Sequence, residues 1–296
     1  MSSGSGLVIV DKPAGVTSHD VVSRVRRLAG TRKVGHAGTL DPLATGVLVI
    51  GVERATRLLG HLTLTEKAYD GTIRLGATTT TDDADGELLS TAPTRDVDEA
   101  RIRSGLASFV GDIEQAPTAV SAIKVDGRRA YDRVRAGEDV QLTARPVTVH
   151  ALDVHRVRPA GDLIEVDISV RCSSGTYIRA IARDLGASLG VGGHLGALRR
   201  TAVGPFTLDD AHTLEQLADE LTLLPIAEAA RASFLSRDLG LAQAGDVRHG
   251  RQIDADLDGL TALFAPDGEF LALYEPSDEP SDEQSHGTSR AVAVFV

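Results

Sequence analysis

A chain of 296 residues with 42% hydrophobic and 25% charged residues has the composition of a folded globular protein, and its length suits one large domain plus a smaller one. The one cysteine, Cys172, excludes an intrachain disulfide and any cysteine-rich zinc or iron–sulfur site. Because the longest apolar runs are strand-sized and the first residues carry no basic export signal, we expect a cytoplasmic protein with no membrane partner.

The formal net charge of -11 is unevenly distributed along the chain. Residues 1–205 carry a net charge of +2, whereas residues 206–296 carry 5 basic and 18 acidic side chains. Proteins that bind nucleic acid draw much of their affinity from Lys and Arg side chains that contact phosphates. The distribution therefore leaves nucleic-acid binding open for the N-terminal part and argues against strong phosphate contacts in the C-terminal part.

The N-terminal region predicts a strand, a helix, a loop and a second strand. The apolar run 7–10 indicates the first strand, and Thr17-Ser18 can cap a helix over 19–28, where valines recur at helical spacing. Residues 35–46 are rich in Gly, Pro and Asp, which is typical of a structured loop. The apolar run 47–50 indicates a buried strand directly after this loop.

The middle of the chain predicts further strands and one clear helix. Alternating patterns indicate strands at 69–75, 147–157 and 163–171, and 178–189 has helical periodicity. The acidic segment 78–86 ends in Asp-Gly, which is a turn signal, and glycines at 190–193 form a link to Arg199-Arg200. The pattern predicts an α+β fold with a mixed, mainly antiparallel sheet and flanking helices.

Beyond Phe206 the sequence predicts an acidic helical segment and then a small β domain. Short alternating runs lie at 261–264, 269–274 and 291–295. We place the large domain at 1–230 and the small one at 231–296. The polar repeat at 276–289 has little to bury and predicts a mobile loop.

The densest motif of the chain is Gly35-His36-Ala37-Gly38-Thr39-Leu40-Asp41-Pro42-Leu43-Ala44-Thr45-Gly46. Its glycines permit backbone conformations that other residues avoid, and the proline stiffens the step after Asp41. A carboxylate held at a fixed angle at a loop tip is what a nucleophile requires. On composition alone, the favoured interpretation is that His36 and Asp41 are ordinary turn residues.

This motif resembles the catalytic loop of the TruB family of tRNA pseudouridine synthases. Further segments that match motifs of that family follow in the same order: Asp11–Ser18, Lys67–Tyr69, Thr81–Gly86, Cys172–Arg179 and Gly193–Arg200. The resemblance covers about residues 7–206 and implies a pseudouridine synthase type of sheet. The C-terminal part is loosely similar to a small PUA-like β domain, and the segment 115–124 departs from the family pattern.

The resemblance implies roles for individual residues. Asp41 is the expected nucleophile, Tyr69 is expected to stack on the target base, and Arg179 is expected to pair with Asp41. Lys12 lies in a Lys-Pro step that is expected to support the catalytic loop. The expected contacts to substrate or RNA are His36, which packs into the T loop, and Lys12, Asp83, Tyr177, Leu198 and Arg199.

The resemblance also implies the activity, the isomerisation of uridine 55 in the T loop of tRNA. The N1–C1′ bond breaks, the base turns, and C5 joins C1′ with no net redox change, so we expect neither cofactor nor metal. The enzyme must flip the base out of its stack. Because burial disfavours an ionised carboxylate, Asp41 needs a cation close by, and the permanently charged Arg179 fits. We expect tRNA as the partner and no obligatory protein partner.

Three basic clusters are candidate phosphate ligands, although each can also be a solvated face. The clusters are Arg24, Arg26, Arg27, Arg32 and Lys33; Lys124, Arg128, Arg129, Arg133 and Arg135; and Arg199 with Arg200. We predict an RNA-binding insert at about 115–145, which contains the second cluster.

Three alternative functions stay open. The chain can be an RNA-binding or tRNA-folding protein without catalysis, or a guide-RNA-directed enzyme acting on ribosomal RNA. A retaining glycoside hydrolase also uses an aspartate against an anomeric carbon, with a second carboxylic acid that Asp83 or Asp85 would have to supply.

Overall fold

The computed structural model describes residues 4–118, 124–125, 128–129, 143–277 and 288–296. Most of the predicted insert at 115–145 and of the predicted loop at 276–289 lies outside the described residues, and so do Arg133 and Arg135 of the second basic cluster. Among the described residues, no helix has the length and apolar character needed to span a membrane.

The described residues form mixed helices and strands. The helices are α1 (Ser18–Ala29), α2 (Leu59–Thr63), α3 (Glu99–Ala107), α4 (Ile178–Leu189), α5 (Leu214–Asp219), α6 (Ile226–Ser233) and α7 (Leu241–Arg248). The strands are β1 (Gly6–Lys12), β2 (Val34–His36), β3 (Thr45–Val52), β4 (Lys67–Leu75), β5 (Ala77–Thr79), β6 (Leu88–Thr91), β7 (Gly111–Gln115), β8 (Lys124–Val125), β9 (Arg128–Arg129), β10 (Arg145–Ala160), β11 (Leu163–Cys172), β12 (Gly193–Val203), β13 (Phe206–Thr207), β14 (Leu224–Pro225), β15 (Leu235–Asp238), β16 (Ile253–Asp254), β17 (Thr261–Phe264), β18 (Phe270–Pro276) and β19 (Thr288–Val294).

One large sheet forms the centre of the N-terminal part. Its strand order is β14-β1-β3-β12-β4-β11-β10-β7, with β2 paired to β3 and β13 paired to β12. The β3–β12 pairing is parallel, and the other strand pairings among the described residues of this sheet are antiparallel. Because β12 lies between β3 and β4, it contacts the strand that follows the Asp41 loop and the strand that carries Tyr69.

Helix α1 forms as its sequence predicts. Thr17 accepts a hydrogen bond from the backbone of Asp20 while the Asp20 side chain accepts one from the backbone of Thr17, which completes a capping box. The helix ends at Gly30, whose φ of 63° lies in the left-handed region that glycine favours. Its buried valines, Val21 and Val25 among them, pack on the apolar side chains of β1 and β3.

Helices α3 and α4 cover part of the large sheet. Ile102 and Leu106 of α3 and Ile181 and Leu185 of α4 share one buried cluster with apolar side chains of β4, β10, β11 and β12. Burying side chains of this size is worth about 1.5–3 kcal/mol each. This cluster fixes the start of α4, and therefore Arg179, relative to the sheet.

The C-terminal residues form a second, smaller sheet of five described strands in the order β15-β17-β18-β19-β16. Phe264, Phe270 and Phe295 pack ring against ring and join the buried cluster that contains Leu7. Arg54 donates a hydrogen bond of 2.9 Å to the Phe295 carbonyl across this contact.

The predicted α+β fold with a small C-terminal β domain is confirmed. Helix α6 runs across position 230, and the domain boundary placed there stays a prediction.

Candidate active site

The loop that carries Asp41 connects β2 to β3 and depends on two glycines with positive φ. Gly38 has a φ of 89° and Gly46 a φ of 98°, a region that strains other residues. At Gly46 a Cβ would stand 2.2 Å from the Arg200 carbonyl oxygen, because β12 runs directly alongside. Glycine at 46 therefore permits the close parallel pairing that sets the end of the loop.

The N-terminal motif holds this loop from the other side. The Ser18 hydroxyl accepts a hydrogen bond from the Leu40 backbone N–H at 2.8 Å and donates to the Leu40 carbonyl at 2.9 Å. Lys12 Nζ donates to the carbonyls of Val16 at 2.8 Å and Pro42 at 3.4 Å. Lys12 is fully buried. Its placement matches the expected support of the catalytic loop and, in this conformation, does not allow the RNA contact that was also expected.

Asp41 and Arg179 form an ion pair at the tip of the loop. Arg179 Nη2 lies 3.0 Å from Asp41 Oδ2, and the guanidinium is buried while the carboxylate side chain is 39% exposed. Arg179 Nη1 donates to the Thr81 carbonyl at 2.8 Å, and Nε lies 3.5 Å from Asp83 Oδ2. The planar guanidinium thus joins the Asp41 loop to the acidic turn.

Asp83 is directed inward. It is 5% exposed, and its Oδ1 accepts hydrogen bonds from the Thr81 hydroxyl at 2.5 Å and the Asp85 backbone at 3.1 Å. The expected RNA contact of Asp83 is therefore blocked in this conformation. These bonds fix the Asp83 carboxylate, and its other oxygen, Oδ2, faces the Arg179 guanidinium.

A cavity of about 300 Å³ opens in front of the ion pair. Tyr69, Tyr177 and Leu198 line it together with Asp41 and Arg179, so five of the residues predicted from the sequence meet here. The remaining lining residues are Gly38, Thr39, Leu40, Thr63, Lys67, Ser173, Gly175, Thr176, Ile178 and Arg200. A cavity with the Asp41–Arg179 ion pair, two further cations, two tyrosines and an aliphatic wall can hold a small planar ring in a fixed orientation.

Tyr69 reaches the cavity from β4. Burial raises the pKa of its hydroxyl above the ordinary value of 10.0, and the nearby Arg200 guanidinium partly opposes this effect. The hydroxyl is therefore neutral at physiological pH and can act as a hydrogen-bonding group, while the ring offers a flat face for stacking.

The Arg199-Arg200 pair does not form one phosphate-binding cluster. Arg200 is 1% exposed and donates to the Val47 carbonyl at 2.7 Å, so the prediction that it contacts phosphate is wrong. Arg199 points elsewhere and makes two hydrogen bonds to Asp11, at 3.0 and 2.8 Å. Arg199 lines an open groove of about 550 Å³, which shares Leu198 with the cavity.

His36 stays outside the residues that line the cavity. It is half-buried in β2, where it pairs with Ile50 of β3. Its expected contact with the T loop stays a prediction.

Several residues that shape the site were missed from the sequence. Gln115 Oε1 accepts from the Tyr177 backbone at 2.7 Å and its Nε2 donates to the Tyr177 carbonyl at 3.1 Å, which fixes the start of α4. Lys67 Nζ donates to the carbonyls of Thr63 and Thr65, and burial lowers its pKa to about 8. Gln115 lies in the segment that departs from the family pattern, so resemblance offered no signal for it.

The burial of Lys12 makes stability depend on pH. Burial lowers its pKa from 10.5 to about 8, although the Asp41 carboxylate partly opposes the shift. Between these two values the unfolded chain binds more protons than the folded chain, so the Lys12 contribution to the unfolding free energy rises with pH. We subtract the unfolding free energy of a Lys12→Met variant from that of the unaltered protein. This value should become about 2 kcal/mol more positive between pH 7 and pH 9.5.

Urea unfolding at both pH values measures this difference, and the subtraction cancels the titration of all other groups. A value of unaltered protein minus variant that stays constant or becomes more negative as the pH rises contradicts the lowered pKa of Lys12.

Within the described ranges, no group of three or more His, Cys, Asp or Glu side chains is arranged to hold a metal ion.

Models of known families match nearly the whole chain. The model described as "TruB family pseudouridylate synthase (N terminal domain)" matches residues 26–178. The model described as "tRNA pseudouridylate synthase B C-terminal domain" matches residues 179–239, and that described as "tRNA Pseudouridine synthase II, C terminal" matches residues 234–295.

Curated relatives and solved structures agree with these matches. A protein named tRNA pseudouridine synthase B from Arthrobacter sp. (strain FB24) is 59% identical over 304 residues, covering 99% of this chain and 97% of the relative. One of the same name from Thermobifida fusca (strain YX) is 58% identical, covering 98% of each. A solved Cbf5-Nop10-Gar1 complex contains a chain with a TM-score of 0.76 and 26% identity, covering 100% of this chain and 86% of that one.

Proposed function

The chain belongs to the TruB family of pseudouridine synthases, and from this premise we propose that it isomerises uridine 55 in the T loop of tRNA with Asp41 as the nucleophile. Membership makes it a tRNA pseudouridine synthase, which is an isomerase. The position in tRNA and the roles of individual residues are the proposal, and the site geometry supports the residue roles.

One observation carries the proposal, the ion pair between Asp41 and Arg179 at the wall of the cavity. A carboxylate must be ionised to attack, and removal from water works against ionisation. The Arg179 guanidinium stays protonated at any physiological pH and lies 3.0 Å from the carboxylate. Asp41 is thus supplied with a counter-charge while enough of its side chain remains exposed to meet a substrate.

The other cavity residues suit a flipped pyrimidine nucleotide. Uracil in the T loop must leave its stack before any carboxylate can reach it. The Tyr69 ring provides a stacking face, and Leu198 provides an apolar wall. We propose that the neutral Tyr69 hydroxyl assists removal of the C5 proton, through Asp41 or water, and that His36 occupies the place that the base vacates.

The remaining contacts with tRNA are proposed along the N-terminal part. Tyr177 is held at the cavity mouth by Gln115, and Arg199 lies in the adjoining groove. Arg24 and Arg27 are exposed on α1 and are available for phosphates, whereas Arg26 donates to the Val34 carbonyl at 3.1 Å. The acidic C-terminal sheet packs against the large domain, and we propose a structural role for it.

The structure and the relatives weigh against the alternatives. A binding protein without catalysis has no need of an arginine that neutralises a loop carboxylate. A glycoside hydrolase needs a protonated second carboxyl group, but Asp83 is buried beside the Arg179 guanidinium. Against the guide-RNA-type alternative, relatives at 58–59% identity are named for tRNA, whereas the solved Cbf5-Nop10-Gar1 complex and H/ACA RNP contain chains at only 26% identity.

Tritium release tests the proposed substrate and position. The protein is incubated with a tRNA transcript labelled at C5 of its uridines, and with a matched transcript in which uridine 55 is replaced by cytidine. We expect one equivalent of tritium per tRNA from the first transcript and none from the second, since only one base enters the cavity. Equal release from both, or release only in the presence of a guide RNA, contradicts the proposal.

A further inference from the structure

Arg200 is a buried cation beside the cavity whose role the proposed function leaves open. We propose that Arg200 is a positioning residue that couples the Asp41 loop to Tyr69, so that the nucleophile and the stacking ring keep one fixed relative placement. This inference rests on the proposed function, because it assigns Arg200 to the same reaction through the Asp41 loop and Tyr69. Arg200 borders the cavity but is only 1% exposed.

The guanidinium holds the loop by carbonyl oxygens on both sides of Asp41. Arg200 Nε donates to the Val47 carbonyl at 2.7 Å, which lies after the nucleophile. Its Nη1 and Nη2 donate at 3.4 Å to the carbonyls of Thr39 and Gly38, which lie before it. A planar group with five N–H donors can make these contacts at once, whereas a lysine ammonium is a single point charge with three donors.

The same guanidinium also lies beside Tyr69. Residues 69 and 200 are direct partners in the antiparallel pairing of β4 and β12, and both line the cavity. The guanidinium is near enough to the Tyr69 hydroxyl to oppose the rise in its pKa that burial causes. Residue 200 therefore borders the tyrosine through both its backbone and its side chain.

The backbone of residue 200 strengthens the coupling. Arg200 pairs with Gly46 in the parallel contact of β12 and β3, at a distance that leaves no room for a Cβ on Gly46. Backbone and side chain of one residue thus hold the end of the loop, its beginning and the tyrosine. The cost of burying the guanidinium is offset by three hydrogen bonds to carbonyl oxygen atoms.

A double-mutant cycle on the full-length protein tests the coupling. Single-turnover rates and tRNA dissociation constants are measured for the unaltered protein, Arg200→Lys, Tyr69→Phe and the double variant. We expect Arg200→Lys to lower the rate by about 10- to 100-fold with the dissociation constant changed less than about threefold. The matched control is Arg290→Lys, which removes an exposed two-bond contact to Glu275 and should leave the rate unchanged.

Coupling predicts that the two substitutions are not independent. In the Tyr69→Phe background the hydroxyl beside the guanidinium is already absent, so Arg200→Lys should cost at least about threefold less in rate than in the unaltered protein. The inference is overturned if the rate loss of the double variant equals the product of the two single losses within about twofold. It is also overturned if Arg200→Lys keeps the rate of the unaltered protein. If Asp41→Asn also keeps its rate, the proposed function has failed as well, which separates the two failures.

A second measurement does not depend on the folding of an Arg200 variant. Tyr69→Phe leaves Arg200 in place and removes the hydroxyl beside its guanidinium. We expect faster amide hydrogen exchange across residues 38–47 in this variant, because the guanidinium that holds the loop loses its polar neighbour on β4. Unchanged exchange in that segment overturns the coupling.

Discussion

Replacing Asp41 with Asn is expected to reduce the isomerisation rate by about four orders of magnitude or more while leaving tRNA affinity unchanged. The amide has nearly the shape of the carboxylate but no negative charge and no nucleophilic oxygen anion. Arg179 keeps its contacts with Thr81 and Asp83, so the α4 side of the cavity should keep its shape. The loss should therefore lie in the chemical step.

The matched control is Asp153→Asn, which removes an exposed carboxylate of β10 outside the cavity. Tritium release under single-turnover conditions measures the rate, and filter binding measures tRNA affinity. An Asp41→Asn rate within tenfold of the unaltered protein removes Asp41 from the nucleophile role. A parallel loss of binding assigns Asp41 to tRNA recognition instead.

Elements with strong local signals were predicted well from the sequence. The capping residues and valine spacing of α1 placed it within a residue of its observed ends, and the periodic segment 178–189 coincides with α4. In both, the apolar stripe and the following glycine agree with one another, and in α1 the capping residues agree as well. The apolar and alternating runs likewise located β1, β3, β4, β10 and β11, although the observed strands extend beyond most of the predicted ends.

Strand β12 was missed, and the error in Arg200 followed from it. Its sequence, Gly193 to Val203, contains two glycines and no clean alternation, and its partners β3 and β4 are distant along the chain. Only its pairing in the sheet shows that β12 is a strand. Successive side chains of a strand point to opposite faces of the sheet, so Arg199 and Arg200 cannot share an environment.

Composition and periodicity do not predict that Asp41, Tyr69 and Arg179 lie around one cavity. These residues lie in a loop, in β4 and in α4, and the pairing of distant segments brings them to one cavity. The resemblance predicted the set because it supplies the order of motifs. The supporting contacts of Ser18 and Gln115 needed coordinates, because hydroxyl and amide side chains serve as partners in many unrelated settings.

Replacing Arg179 with Lys is expected to lower the single-turnover rate by about 100- to 1000-fold with little change in tRNA affinity. Arg179 makes three contacts in different directions, to Asp41, Thr81 and Asp83, and one ammonium cannot reach all three with the same geometry. The positive charge survives in the variant. A large loss therefore reports the fixed placement of that charge beside the nucleophile.

The same α4 helix offers a matched control, Arg183→Lys. Arg183 lies one turn further on, pairs with Asp184 at 2.8 Å and with Asp82 at 3.5 Å, and does not line the cavity. We expect its variant to keep the rate within about threefold, since the lost bonds do not bear on Asp41. Urea unfolding of both variants separates a loss of rate from a loss of fold. If Arg179→Lys keeps the unaltered rate, or if Arg183→Lys loses as much, charge placement at Asp41 is not what Arg179 provides.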